Sequence, residues 1–156
     1  MPRGKIYIGC ALTDVPAEHK ERFKADIARL KGILRADDYE ILEFFGLSGG
    51  YGKESCHEVV AKDLGNVFEC DLFVAVCEFP SIGLGIELGF AAEKGKPRII
   101  AMPFGKKVTR MAKGLDFVES NQTYYEYDDI CRLRLPINLF FLKRNMRCMQ
   151  PVGSSS

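Results

Sequence analysis

The sequence predicts an α/β fold: a single doubly wound, five-stranded parallel sheet of the flavodoxin or Rossmann-like kind, with helices on both faces. Three observations predict it. Short apolar runs alternate with amphipathic helical patterns in the order β-α-β-α-β-α-β-(α)-β-α, which builds parallel sheets through right-handed crossovers. Residues 72–77 (LFVAVC) are apolar throughout, as in a strand buried on both faces. Helix start and stop signals fall between the runs, such as Ser55 with Glu58 three residues on, and Gly95 followed by Pro97.

The elements follow in order. Residues 5–12 (KIYIGCAL) read as the first strand, with Ile6 and Ile8 alternating with Tyr7 and Gly9. Pro16 suits the first position of a helix to about Leu34, whose buried stripe is Phe23, Ile27, Leu30 and Leu34. Lys20, Glu21, Lys24 and Arg29 fill its solvated face. Residues 39–45 (YEILEFF) read as the second strand. The stretch 46–54 (GLSGGYGKE) has four glycines in seven residues and reads equally as a lid or a plain surface loop. The helix opened by Ser55 and Glu58 continues to about Phe68, with Val60, Leu64 and Val67 as its expected buried stripe. Asp63 lies on that helix and reads equally as an exposed side chain.

The third strand leads through Pro80 into a glycine-punctuated turn, Ser81-Ile82-Gly83-Leu84-Gly85, and then a helix with Leu88, Ala91 and Ala92 as apolar contacts. Glu87 is expected in that helix's first turn, near the carboxyl end of a central strand, where open α/β sheets bind ligands. The helix dipole is a sufficient reason for a carboxylate there, so position alone does not assign chemistry. Residues 98–102 (RIIAM) read as the fourth strand. Lys106, Lys107, Arg110 and Lys113 follow in a stretch without any acidic residue, which reads as an exposed helical turn, an anion site or a contact with an acidic partner patch. Residues 123–127 (TYYEY) read as the fifth strand. Asp128 is expected to cap a last helix carrying Ile130, Leu133, Ile137 and Phe141, which Pro136 should kink or split. Residues 1–150 are expected to form one domain. Residues 147–156 read as frayed, with 151–156 a disordered tail.

Composition bounds the function. The chain has 156 residues, 47% hydrophobic and 28% charged, an ordinary globular balance. A net charge of +1 gives no global reason for a nucleic acid polymer or a membrane as partner. The apolar part of the N-terminus is short and alternates like a strand, unlike a signal peptide. Six cysteines without a C-x-x-C read as free thiols of a cytoplasmic protein. Cys56-His57 is too few ligands for a metal site. The series Gly83, Gly85, Gly89 is one residue too long for a dinucleotide fingerprint and follows the wrong strand. Walker A and G-x-S-x-G motifs are absent, and His19 and His57 are expected far from the strand ends. What remains is Tyr7, Asp63, Ser81 and Glu87. Two carboxylates and a phenol suffice for glycosidic bond cleavage without a cofactor.

Three segments carry a resemblance: KIYIGCAL, VVAKDL (59–64) and CDLFVAVCEFPSIGLGIELGFAAEKGKP (70–97). The most specific part is P-S-x-G-x-G-x-E-L-G followed by G-K-P. The chain resembles the nucleoside 2-deoxyribosyltransferase superfamily, and within it the 2'-deoxynucleoside 5'-monophosphate N-glycosidases (Rcl type), over roughly residues 4–115. The resemblance implies that Glu87 is the nucleophile, that Tyr7 orients it and that Asp63 protonates the departing base. It implies that Ser81 binds the 5'-phosphate beside Gly83 and Gly85, that Phe44 lies near the base, and that Thr109 reaches a neighbouring subunit's site in a homodimer or larger oligomer. The implied partner is a small deoxynucleotide or deoxynucleoside, with no cofactor. There are two departures. Residues 10–14 (CALTD) replace a loop whose arginine helps to hold phosphate, adding Asp14 instead, and Phe44 stands where the hydrolases tend to carry a polar residue. Ser81 favours a monophosphate, since the free-nucleoside transferases usually carry Asp there. Base exchange on free nucleosides, and nucleotide binding without catalysis, are the alternatives.

Overall fold

The computed structural model describes residues 1–44, 53–115 and 121–149. The elements are β1 (Lys5–Cys10), α1 (Ala17–Ala36), β2 (Glu40–Leu42), α2 (Cys56–Glu69), β3 (Leu72–Val76), α3 (Ile82–Glu93), β4 (Arg98–Pro103), α4 (Arg110–Gly114), β5 (Gln122–Tyr127), a 3-10 turn (Ile130–Leu133) and α5 (Arg134–Cys148). The five strands are all parallel, in the order β2-β1-β3-β4-β5. The chain runs outward from β1 to β2, then crosses back over β1 to β3. The direction of winding therefore reverses between β1 and β3, and a crevice opens at their carboxyl ends. α1 and α5 pack together on one face of the sheet, and α2 and α3 pack together on the other.

The central strands are apolar because both faces are covered. All five residues of β3 are buried, as are Ile6, Tyr7 and Ile8 of β1. Phe23, Ile27, Leu30 and Leu34 of α1 are buried as their spacing predicts. The capping box forms: Ser55 Oγ accepts from the Glu58 amide at 3.2 Å, and Glu58 Oε2 accepts from the Ser55 amide at 2.7 Å. Gly95 ends α3 with φ +62°, and the Lys96 and Gly95 amides donate back to Ala91 and Ala92, a Schellman closure.

Several boundaries differ from expectation. β2 has three residues rather than seven, because its pairing with β1 ends at Tyr7–Leu42. The side chain of Val60 is exposed and Asn66 takes a buried place, donating to the Glu43 carbonyl at 3.0 Å, so the expected apolar stripe of α2 is broken. The glycine turn is not a turn: Ser81 is the N-cap of α3, and Gly83 and Gly85 lie in its first helical residues. Pro16 is an N-cap position, one residue earlier than expected. Asp129, not Asp128, caps the last helical region, accepting from the Cys131 amide at 2.9 Å. That region is split at Leu133–Arg134. Pro136 sits in the first turn of α5, where no amide donor is needed. Arg147 and Cys148 are helical rather than frayed. The glycine-rich stretch, apart from Lys53 and Glu54, and the tail at 151–156 lie outside the described residues. Among the described residues no helix is long and apolar enough to cross a membrane. All six cysteines are free thiols.

Candidate active site

The β1–β3 switch brings three sequence-predicted residues together. Tyr7 and Gly9 point to the face that α2 and α3 cover, because side chains alternate along β1. Tyr7 is 1% exposed, and its hydroxyl donates to Glu87 Oε1 at 2.7 Å. Its ring stacks on Phe73 of β3 at 5.6 Å and meets the edge of Phe44 at 6.3 Å. These ring contacts fix where the hydroxyl sits. Glu87 is the sixth residue of α3 and so lies in the second turn, correcting the expected first-turn position. The helix dipole acts mainly at the first turn. The dipole therefore no longer explains this carboxylate, which is 8% exposed.

Asp63 reaches the same group from α2. It is half-buried rather than exposed, and its Oδ1 is buried without a hydrogen-bond partner. Burial raises the Asp63 pKa, opposed by the Tyr7 hydroxyl and by Lys62. Glu87 is pushed up to about 7, first by burial and then by the Asp63 charge, while the Tyr7 hydrogen bond pulls the other way. Tyr7 itself is pushed far upward by burial and by both carboxylates, so it stays a neutral donor. Phenol and carboxylates titrate as one unit, and its apparent pKa values belong to the group. An ionised carboxylate held by one hydrogen bond can act as a nucleophile. A carboxyl with a buried, unpaired oxygen beside it is a poised proton donor.

Gly9 is the residue the sequence reading passed over. A Cβ there would lie 2.8 Å from Glu87 Oε2 and 2.8 Å from the Phe73 ring. The glycine is a space requirement of the pair, and its register two residues beyond Tyr7 on one strand face is the signal that could have found it. Lys31 was also passed over. It is 3% exposed, bonds Glu43 Oε2 at 2.5 Å and lies 4.5 Å from the centre of the Phe44 ring, and it supports that ring from the α1 side.

The remaining predicted residues stand apart from the trio. Ser81 caps α3, its Oγ accepting from the Leu84 amide at 3.2 Å, and its hydroxyl hydrogen can still donate. A Cβ at Gly85 would meet nothing, and one at Gly83 only the Ser81 hydroxyl at 3.7 Å, so packing within the chain does not require either glycine. Thr109 caps α4, its Oγ1 accepting from the Ala112 amide at 3.3 Å, and has no hydrogen bond to Tyr7, Asp63 or Glu87. His19 is not far from the strand ends as expected: its ring stacks on Phe79, just past β3, at 5.7 Å. Lys106 approaches the same ring at 5.5 Å.

No protein-family model matches the chain, and no curated protein does. Solved structures do. The Clostridium botulinum CMP N-glycosidase BcmB matches at 24% identity over 87% of this chain and 98% of its own, with a TM-score of 0.66. BlsM, known from a solution structure, matches at 17% identity over 97% of each chain, with a TM-score of 0.64. The chain shares its fold with these proteins. A 2-deoxyribosyltransferase from the psychrotolerant bacterium Bacillus psychrosaccharolyticus has the same fold at 17% identity, over 83% of this chain and 89% of its own, with a TM-score of 0.57. At these identities the likeness is one of fold.

Two outcomes are expected from this geometry. Glu87 has a folded pKa of about 7 against an ordinary 4.5, so the folded chain holds the extra proton between those values and stability falls as pH rises through them. Glu87→Gln should therefore gain about 2–3 kcal/mol over wild type at pH 8 and almost nothing near pH 4.5, read by urea unfolding. An equal difference at both pH values would contradict the buried-acid account. Gly9→Ala should fold with a loss of about 1–3 kcal/mol, since the Cβ must displace Glu87 or Phe73. The catalytic activity proposed below should drop at least about tenfold, because a misplaced reacting group is costly. Full activity in Gly9→Ala would show that the pair tolerates displacement.

Proposed function

We propose that this chain hydrolyses the N-glycosidic bond of 2'-deoxynucleoside 5'-monophosphates through a covalent deoxyribosyl–Glu87 ester. The observation that carries the proposal is the buried Tyr7–Glu87 hydrogen bond with the unpartnered Asp63 oxygen beside it, at the sheet's switch point. The motif resemblance, and the fold shared with a protein named as a CMP N-glycosidase and one named as a 2-deoxyribosyltransferase, support it.

Glu87 as carboxylate attacks C1' while Tyr7 holds its other oxygen. The C1'–N bond breaks with its electron pair going to the base, which takes the proton of Asp63. Water then attacks C1' of the ester, giving its proton to Asp63 and freeing Glu87. The products are free base and deoxyribose 5-phosphate, with configuration retained by two inversions. A sugar without the electron-withdrawing 2'-hydroxyl reaches the oxocarbenium-like transition state at lower cost. Phe44, edge-on to Tyr7, flanks the base. The Ser81 hydroxyl and the free amides at the start of α3 receive the 5'-phosphate. Ile82 and Ile86 on α3 and Met111 on α4 are exposed, which suits a homodimer in which Thr109 and its basic neighbours complete the partner's phosphate site.

Base exchange on free deoxynucleosides is the second reading. It is favoured by the 10–14 segment, where Asp14 is exposed and the phosphate-holding arginine is missing. The two separate in one assay: base release from deoxynucleosides, their monophosphates and CMP, with and without a second base, followed by chromatography. Release from deoxynucleoside monophosphates without acceptor is expected, and Glu87→Gln should lower it about a thousandfold or more. Turnover only with an acceptor, on unphosphorylated substrate, would replace hydrolysis with transfer. The acid limb of kcat/KM should fall near pH 7, as Glu87 takes up its proton. Tyr7→Phe removes the hydrogen bond that lowers this pKa, so the limb should move to higher pH. An unmoved limb would remove Tyr7 from its assigned role.

A further inference from the structure

A cavity of about 800 Å³ shares no lining residue with the Tyr7, Asp63 and Glu87 centre. It opens at the amino ends of β3 and β4 and along the edge strand β5, between the α3–β4 connection and α5. Six cations line it (Lys94, Lys96, Arg98, Lys143, Arg144 and Arg147) against one carboxylate, Asp71. The whole chain carries a net charge of only +1, so positive charge is concentrated here. The one carboxylate is already engaged. Asp71 Oδ2 accepts from the Lys5 amide at 2.8 Å, and its Oδ1 pairs with Arg144 at 2.7 Å.

The remaining cations are disposed on two walls. Lys143 and Arg147 stand one helical turn apart on α5, exposed, and neither has an ion pair or hydrogen bond among the described residues. Across the groove, Arg98 fixes the other wall, since its guanidinium donates to the Lys96 carbonyl at 3.0 Å and to Gln122 Oε1 at 2.6 Å. Lys94 reaches Glu93 at 3.0 Å, outside the cavity lining. The half-buried rings of Tyr125 on β5 and Phe140 on α5 also line the groove. Lys143 and Arg147, one turn apart, repel one another unless an anion lies against them. Half-buried aromatic faces beside them suit a flat ring. A volume of this size takes one small molecule, and the low net charge of the chain gives a polymer no wider track to follow.

We propose that this groove is a second ligand site, which takes a nucleoside polyphosphate. Lys143, Arg147 and Lys94 receive the phosphates, and the base lies against Phe140 and Tyr125. The site is separate from the Glu87 centre and does not depend on the reaction assigned to it.

Calorimetric titration of the full chain with ATP at about 0.15 M salt tests this, a strength at which loose surface attraction is screened. Saturation near one equivalent is expected for the wild type, with ATP binding more tightly than adenosine or inorganic tripolyphosphate. The double variant K143E/R147E should bind ATP at least about tenfold more weakly, because it removes two charge-assisted contacts and adds repulsion. Both side chains are exposed, so folding and base release should be kept. Wild-type ATP affinity in K143E/R147E, or no saturation up to millimolar ATP, would overturn the site. Tripolyphosphate binding as tightly as ATP would overturn the assignment of a nucleoside.

Discussion

One hydrogen bond organises the functional half of this molecule, the 2.7 Å contact from the Tyr7 hydroxyl to Glu87. A carboxylate that is 8% exposed has lost most of its hydration. Its pKa is pushed from 4.5 to about 7, a cost on the order of 3 kcal/mol to the ionised form. That net cost already includes the Tyr7 hydrogen bond, which would contribute about 1.5–3 kcal/mol to the ionised form only if donor and acceptor are held in line. Much of the surrounding packing serves that alignment. Phe73 and Phe44 clamp the Tyr7 ring, Gly9 leaves room for Glu87 Oε2, and Lys31 supports Phe44 from the far side. A buried acid tuned to neutral pH is a poor investment for folding and a good one for attack on an electrophilic carbon.

The topology explains why these groups meet. Tyr7, Asp63 and Glu87 belong to three different elements and are separated by up to 80 residues. The reversal of winding between β1 and β3 sets α2 and α3 side by side over β1, so a side chain from each helix can reach the same strand residue. The amino ends of β3 and β4 have a different character. There the strand ends and α5 gather cations and aromatic rings around an open groove, with the single carboxylate used to hold α5 to β3. One fold thus presents a buried acidic centre at the β1–β3 switch and an open basic groove at the start of β3 and β4 beside β5.

Much of this was legible in the sequence, for physical reasons. Periodicity of 2 and 3.6 reports burial directly, so the existence of five strands and the stripe of α1 could be read, though not the extent of β2. The Ser55–Glu58 box and the Gly95 stop are local chemistry and also survived. Failures came where tertiary context overrides local pattern. Val60 fits an apolar stripe, but its position on α2 faces away from the sheet, and Asn66 is buried because the Glu43 carbonyl needs a donor. Glycines at 83 and 85 suggested a turn, yet a helix capped by Ser81 absorbs them. At the site, elimination left Tyr7, Asp63 and Glu87 with Ser81, motif resemblance implied their roles, and the geometry brings the first three together. Gly9 escaped notice because its role is the absence of a side chain, visible only once Glu87 is placed opposite it. His19 was set aside on chain position alone, whereas its stacking on Phe79 depends on how α1 leans across the strand ends.

The central claim is that Glu87, held by Tyr7, forms a bond to the sugar. The most direct measurement is mass spectrometry of the Glu87 peptide after rapid acid quenching of the enzyme with a 2'-deoxynucleoside 5'-monophosphate. The account predicts that peptide heavier by one deoxyribose 5-phosphate less water, with the adduct gone when Glu87 is replaced by Gln. Base release that proceeds with an unmodified Glu87 peptide at every quench time, or an adduct mapping to Asp63, would contradict it.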